Sequence, residues 1–366
     1  MKEKSNLDNS AKKLDRRTFI RTSSVGATGL ALGGLGISSK VFSSNKTFTL
    51  GTWGGIWEKT FKQKIVPRFE KEFNVRVIYD VSSTTQRVAK INASKDNQVL
   101  DFAMLTPEGM VNAIDSGLLD PVNTSIVTNF KDVSSGFRDG FDKNGKHYGA
   151  AISWSSTGIL WRKDLIPFKI TKFTDLWHRG LEDRISIQNM PSLGGSSMLI
   201  ASSIVHGGSQ YNLDPGWRAL KLLRPNIQSF FRLSSEVLNR LVTGEVWAAV
   251  SIAGQGVKYK NEGVAITTPS EGTTFSLQGM GIPVNTKNYE MANNFMNFCL
   301  RPDIQAEWTA STNVAPTNEK TILPSGVQNR LVEKPETVKK LFEIDFRNMA
   351  KNKQDWTERW LQEVAI

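Results

Sequence analysis

Residues 46–79, KTFTLGTWGGIWEKTFKQKIVPRFEKEFNVRVIY, carry the reading that sets the fold. From Lys46 to Gly51 threonine alternates with phenylalanine and leucine, the two-residue period of a strand with one buried face. Gly54 and Gly55 then turn the chain. Ile56, Phe61, Ile65, Phe69 and Phe73 follow at helical spacing, with Pro67 as an expected interruption, and Val75 to Tyr79 is the next strand. The rhythm repeats: Asp101 to Leu105 reads as a strand, Pro107 to Ser116 as a helix, and Gly117, Leu118 and Leu119 as its stop. The chain is therefore expected to be α/β with a largely parallel sheet. Ligands of such sheets bind beyond the carboxyl ends of the strands. That rule puts Thr52, Trp53, Gly54 and Gly55 at one edge together with Thr106, Pro107 and Glu108. Trp53 reads equally as the aromatic wall of a pocket and as packing between helix and sheet.

Upstream, KKLDRRTFIR (residues 12–21) and a weakly apolar run from Val25 to Ile37 read as an export signal. Adjacent Arg16 and Arg17, followed by Phe19, resemble the twin-arginine signals that carry folded proteins across a bacterial inner membrane. The run of 13 residues holds five glycines. A spanning helix needs roughly 20 residues, so this segment cannot anchor the product. Val41 and Ser43 suit a cut near Ser43, giving a leader of residues 1–44. The alternative is a basic tail on a cytoplasmic protein. Those 44 residues contain 8 of the 46 Lys and Arg and 3 of the 35 Asp and Glu, so the net charge of +11 falls to +6 beyond them. The remaining bases alternate with acids, as in PRFEKEF (67–73), which is a solvated helix face rather than a nucleic-acid stripe.

Cys299 stands alone in the apolar run NFMNFCL (294–300) and is expected to be a packed thiol. It cannot form an internal disulfide, and no cysteine near the leader's end could carry lipid. His147, His178 and His206 fit no zinc-ligand spacing, and neither a GxSxG elbow nor a phosphate loop occurs. Neither metal, cofactor nor enzymatic chemistry is expected. The 322 residues after the leader exceed one comfortable core and predict two lobes.

A succession of short segments then carries a resemblance: PRFEKEFNVRV (67–77), DSGLLDPV (115–122), Tyr148, WSSTGI (154–159), FTDLW (173–177), LDP (213–215), GEVW (244–247), GIP (281–283), FMNF (295–298), RPD (301–303) and APTN (315–318). In order and spacing they resemble the polyamine-type periplasmic solute-binding proteins of ABC importers, over nearly the whole chain after the leader. The resemblance implies a two-lobed type II periplasmic binding protein fold, with mixed, mostly parallel sheets flanked by helices and a hinge between lobes. It implies residues 45–152 and 278–318 in one lobe and 153–277 and 319–366 in the other. Crossovers are expected near Ser153, Trp154 and Ser155 and near Leu277, Gln278 and Gly279. Helices over 334–346 and 356–364 would brace the lobes. A monomer, free in the periplasm, would close on a small solute and hand it to a membrane permease.

The ligand is where this chain departs from the family. Polyamines need carboxylates for their ammonium groups and aromatic walls for their methylenes. Where the resemblance implies Trp-x-Asp, SLQ (276–278) stands; where it implies Trp-Asn-Gly, IAGQ (252–255) stands. NMPSLGGSS (189–197) replaces an acidic loop, and Ser235 an aspartate. Glu108 is the one candidate acid left in the right loop. Ser192, Gly194, Gly195 and Ser196, ahead of an apolar helix from Met198, read either as amides and hydroxyls converging on an anion or as a plain capping turn. Arg232 and Arg87 read either as clamps for such an anion or as surface residues. Phe231 and Trp154 are expected as pocket walls beside Ser155, with Gln255 and Gln278 offering neutral hydrogen bonds. The expectation is a receptor for a small polar organic solute, anionic or zwitterionic. The alternatives are a true spermidine or putrescine receptor using Glu108, and a ferric-ion receptor, which would want paired tyrosines; Tyr79, Tyr148, Tyr211, Tyr259 and Tyr289 are scattered.

Overall fold

The structure is a computed structural model that describes residues 46–365, so the leader and its cleavage near Ser43 lie outside the described residues. Strands β1 (Thr47–Thr52), β2 (Arg76–Val81) and β3 (Phe102–Leu105) come first, then the short β4 (Leu119–Asp120), β5 (Asp142–Lys143) and β6 (Lys146–His147). The long β7 (Gly149–Arg162) precedes β8 (Ile185–Gln188), β9 (Ile227–Phe231), β10 (Ala248–Ile252), β11 (Val264–Thr267), β12 (Phe275–Pro283) and β13 (Ala315–Pro316). The main sheet runs β2-β1-β3-β12-β7-β10-β8-β9.

Two parallel runs lie at its ends: β1 between β2 and β3, and β8 between β10 and β9. Strands β12 and β7 join them, antiparallel to each other and to their outer neighbours. Gly149 to Ser156 of β7 pair with β12, whereas Thr157 to Arg162 pair with β10 and β11, so a single strand serves both runs. The sheet is mixed because these connecting strands reverse direction. In β12 the register shifts between Gln278 and Gly279.

The alternation in β1 sends Phe48 and Leu50 into a core with Phe61, Phe69, Phe102, Phe295 and Trp308. Phe295 meets Phe69 and Phe102 edge-on with ring centroids 4.7 and 4.9 Å apart, a favoured quadrupole geometry. Cys299 is buried in the same core. A second core covers β8 and β10 with Ile185, Ile187, Leu199, Trp217 and Trp360. Arg68, Lys71 and Glu72 are exposed, as expected of a solvated face. No helix among the described residues is long and apolar enough to cross a membrane.

Two local expectations need correction. The helix over 56–73 is interrupted before its proline: Ile56–Thr60 and Val66–Phe73 are α-helical and Phe61–Ile65 forms a π-helical turn. Pro67 sits in the first turn of the last segment, where its missing N–H is tolerated, and the widened turn ahead of it lets the preceding carbonyls bond further along. Near the carboxyl end, only Pro335–Val338 is helical within 334–345, because Phe342 is drawn into a backbone bond with Thr273 at 2.7 Å. The last helix instead spans Phe346–Glu363, with the Asp345 carboxylate accepting the Arg347 and Asn348 amides at 2.9 Å.

At the junction of β7 and β12, a Cβ on Gly149 would lie 2.3 Å from the Met280 carbonyl oxygen and 2.4 Å from Met110 Cε. Gly149→Ala should therefore destabilise the protein by about 2–3 kcal/mol, read as a lowered urea midpoint. An unchanged midpoint would contradict this close approach.

Candidate functional site

Strands β1 and β3 are parallel neighbours, so the chain leaves both at one edge of the sheet. Thr84, at the start of the helix Thr84–Ala93, ties the two exits together. Its Oγ1 accepts from Trp53 Nε1 at 3.1 Å and from the Thr106 amide at 3.3 Å. The structure thus brings Trp53 and Thr106 together through a threonine that sequence reasoning missed. Trp53 is half-buried and also meets Trp57 edge-on at 6.1 Å, while Gly54 and Gly55 are exposed.

Arg87 underlies this edge and is neither a surface residue nor free to clamp a ligand. It is fully buried. Its guanidinium donates to the carbonyls of Met104, Thr52 and Ser82, a planar fork seated on the carboxyl ends of three segments. Its Nε is buried without a partner, and its Cζ lies 5.8 Å from the Trp53 ring centroid. Burial pulls its pKa down to about 10, against a smaller opposing pull from Asp80, so it remains a cation at neutral pH. Asp80 itself bonds Ser82 and Lys90. The strand makes room for the arginine at Gly51, where a Cβ would fall 2.6 Å from Arg87 Cδ.

Glu108 stands in the first turn of the helix Pro107–Asp115 and is 6% exposed. Its Oε1 accepts from Lys353 Nζ at 3.1 Å, whereas Oε2 and the neighbouring Thr106 Oγ1 are buried without partners. Lys353 belongs to the last helix, which reaches both ends of the sheet. Arg347 of that helix donates to the Asp142 carbonyl at 3.0 Å. Trp360 donates to Asn189 Oδ1 at 2.9 Å and meets Phe230 at 5.8 Å. Lys353 and Trp360 share a helix face about 10 Å apart, so the helix links the loop after β3 to the loop after β8. Sequence reading had no signal for Lys353, which falls between the helices expected over 334–346 and 356–364 and lies instead within the single helix Phe346–Glu363.

In the loop after β8, Ser192 forms a capping turn. The helix Leu193–Val205 begins five residues before the expected Met198, because Ser192 caps it: Oγ accepts the Gly195 amide at 3.1 Å and donates to the Asn189 carbonyl. Gly195 and Ser196 are buried, and a Cβ on Gly194 would overlap Gln188. Phe231 is not a pocket wall; it is 2% exposed in a core with Val237, Leu238 and Leu241, against which the helix Ser234–Thr243 packs. The Arg232 side chain is exposed, and Gln255 is half-buried beside Gly254.

On the connecting strands, Trp154 is 4% exposed and stacks on Phe137 with centroids 5.0 Å apart. It too is enclosed. Trp308 Nε1 donates to Ser153 Oγ at 2.9 Å, and Ser153 donates to Gln278 Oε1 at 2.7 Å, so Gln278 already has a partner. Ser155 is buried with an unpartnered Oγ. Glu333 Oε1 accepts the Ser156 amide and hydroxyl, each at 2.9 Å, while its Oε2 is buried without a partner. Desolvation raises the Glu333 pKa and outweighs the lowering by those Ser156 bonds.

Cavities of about 330 and 420 Å³ open elsewhere, the first among Tyr211, Trp217, Trp356 and Arg359, the second among Phe130, Arg138 and His147. Among the described residues, no group of three or more His, Cys, Asp or Glu is placed to hold a metal ion.

This architecture is the two-lobed fold of the type II periplasmic binding proteins. The chain belongs to the bacterial extracellular solute-binding proteins, whose family pattern matches residues 64–336. It is 25% identical over 317 residues to the spermidine/putrescine-binding periplasmic protein of Escherichia coli (strain K12), covering 81% of this chain and 88% of that protein. An ABC transporter structure from Clostridium perfringens ATCC 13124 superposes with a TM-score of 0.75 at 23% identity, over 87% of this chain and 99% of that one. The periplasmic binding protein AfuA from Actinobacillus pleuropneumoniae superposes with a TM-score of 0.72 at 20% identity, over 88% of this chain and 100% of that one.

The raised pKa of Glu333 means that the folded state holds its proton more tightly than the unfolded state. Its stabilising contribution is complete below the ordinary glutamate range, about pH 4, and is lost as pH rises through the raised value. Glu333→Gln should therefore gain stability relative to the wild type as pH is raised from about 4 to 8, read as a widening difference in urea midpoints. A difference constant with pH would reject this.

Proposed function

We propose that this chain is the exported, freely diffusing substrate-binding component of a bacterial ABC importer, and that its solute is a small polar organic anion or zwitterion. Solute capture and delivery to the permease, without chemical conversion, follow from the family. The lobes are residues 45–152 with 278–318 and residues 153–277 with 319–366, and they hinge on β7 and β12. The switch of β7 pairing at Ser156 and Thr157 supports that division. Export by the twin-arginine route, with cleavage near Ser43, rests on Arg16 and Arg17.

The observation that carries the ligand class is the charge at the edge of β1 and β3. Arg87 is buried there on carbonyls, and the carboxylates nearest this edge already have cationic partners, Glu108 in Lys353, Asp80 in Lys90 and Glu58 in Lys62. The Escherichia coli relative is named for polyamines. A polyamine's ammonium groups, buried in this site without anionic partners, would cost several kcal/mol each. An anionic ligand is compatible with the fold, since the AfuA structure holds fructose-6-phosphate. A polyamine receptor remains the second reading, favoured by the 25% identity to that named relative.

Melting of the purified protein across a solute panel separates the two. Solutes bearing a carboxylate, sulfonate or phosphate should include one that stabilises by about 2.7 kcal/mol at a hundredfold excess over its Kd. Stabilisation by putrescine or spermidine instead would favour the second reading. For export, changing both Arg16 and Arg17 to lysine should leave the precursor in the cytoplasmic fraction; normal periplasmic yield would exclude the twin-arginine route.

A further inference from the structure

We infer that Lys353 is an internal substitute for a ligand ammonium and the residue that sets this site against polycations. The inference rests on the reading of the Trp53, Thr106 and Glu108 loops as the ligand site. A carboxylate as buried as Glu108 requires a cation or several donors, because desolvated charge without partners is strongly destabilising. The cation can come from a bound amine or from the chain itself, and here the chain supplies it from 245 residues away, Nζ to Oε1 at 3.1 Å.

Lys353 is not a loose surface lysine. Its side chain is 26% exposed. The helix that carries it is fixed at one end by Asp345 and Arg347 and further along by Trp360 on Asn189 and Arg359 over Trp217. The helix is thus pinned on both sides and holds Lys353 within reach of Glu108. A second ammonium arriving at Glu108 would meet Lys353 directly and the buried Arg87 beyond Trp53, and like charges in a desolvated site repel strongly. Lys353 leaves Glu108 Oε2 and the hydroxyl of Thr106, two positions before that glutamate, as buried atoms without partners. A ligand group compatible with this arrangement is an uncharged donor such as a hydroxyl, not a further ammonium.

The test uses the purified protein with putrescine and spermidine as probes, read by calorimetry and by melting. The wild type should show no putrescine binding, whereas Lys353→Met should bind it at least tenfold more tightly than the wild type. The double variant Lys353→Met with Glu108→Gln should lose that gain, which ties it to the carboxylate rather than to general loosening. Should Lys353→Met fail to give a folded circular-dichroism spectrum, Lys353→Gln removes the charge while keeping a donor to Oε1, and the same gain is expected. A folded Lys353 variant that binds putrescine no better than the wild type overturns the inference and leaves the anionic reading standing. Wild-type protein that binds putrescine overturns the anionic reading, whatever the variants do.

Discussion

The antiparallel pairing of β7 with β12 is the constraint on which the rest of the molecule depends. Among the described residues, these two strands bridge the parallel run β2-β1-β3 and the parallel run β10-β8-β9 of the main sheet. Their backbones approach so closely at Gly149 and Met280 that no side chain fits between them. Both strands are buried for most of their length, so the bridge lies within the core. It sets which ends of the two parallel runs are presented together. The loops after β1, β3 and β8 start from that geometry and are then tied by Thr84, Lys353 and Trp360.

Around this frame the ionisable groups are arranged by what the backbone already offers. Arg87 sits where three carbonyls converge, a place that suits a cation and would repel an anion. Glu108 sits in the first turn of a helix, where the macrodipole favours a carboxylate, and it still requires Lys353 to complete its bonding. Glu333 has two donors from Ser156 and no cation, which is why burial governs its titration. These three buried groups are therefore met in three different ways: carbonyl dipoles for Arg87, an ion pair for Glu108 and hydrogen bonds from Ser156 for Glu333.

Much of the fold was legible because it follows local periodicity. The alternation over 47–50 and the apolar spacing over 56–73 fix a strand and a helix regardless of context, and the rule that ligands bind at strand carboxyl ends points to Trp53, Thr106 and Glu108. Thr84 was also within reach, since Ser83 and Gln86 form a capping box that marks the helix start beside it. The errors have a common physical origin. Whether Arg87 faces solvent or carbonyls, whether Phe231 lines a pocket or fills a core, and whether Trp154 is open or stacked on Phe137 are decided by segments distant in sequence. The pairing of Lys353 with Glu108 is the extreme case, since no local pattern links residues so far apart. The Ser192 segment illustrates a different limit: the residues that suit an anion also suit a helix cap, and here the cap takes the hydroxyl.

The span between Glu108 and Lys353 bears on when the protein becomes competent. A contact closed over 245 residues cannot form while the ribosome is still making the second half of the chain. The loops after β1 and β3 can assemble early, yet until the last helix docks they hold a buried carboxylate with no counter-charge. Completion of this pair thus coincides with the docking of the last helix.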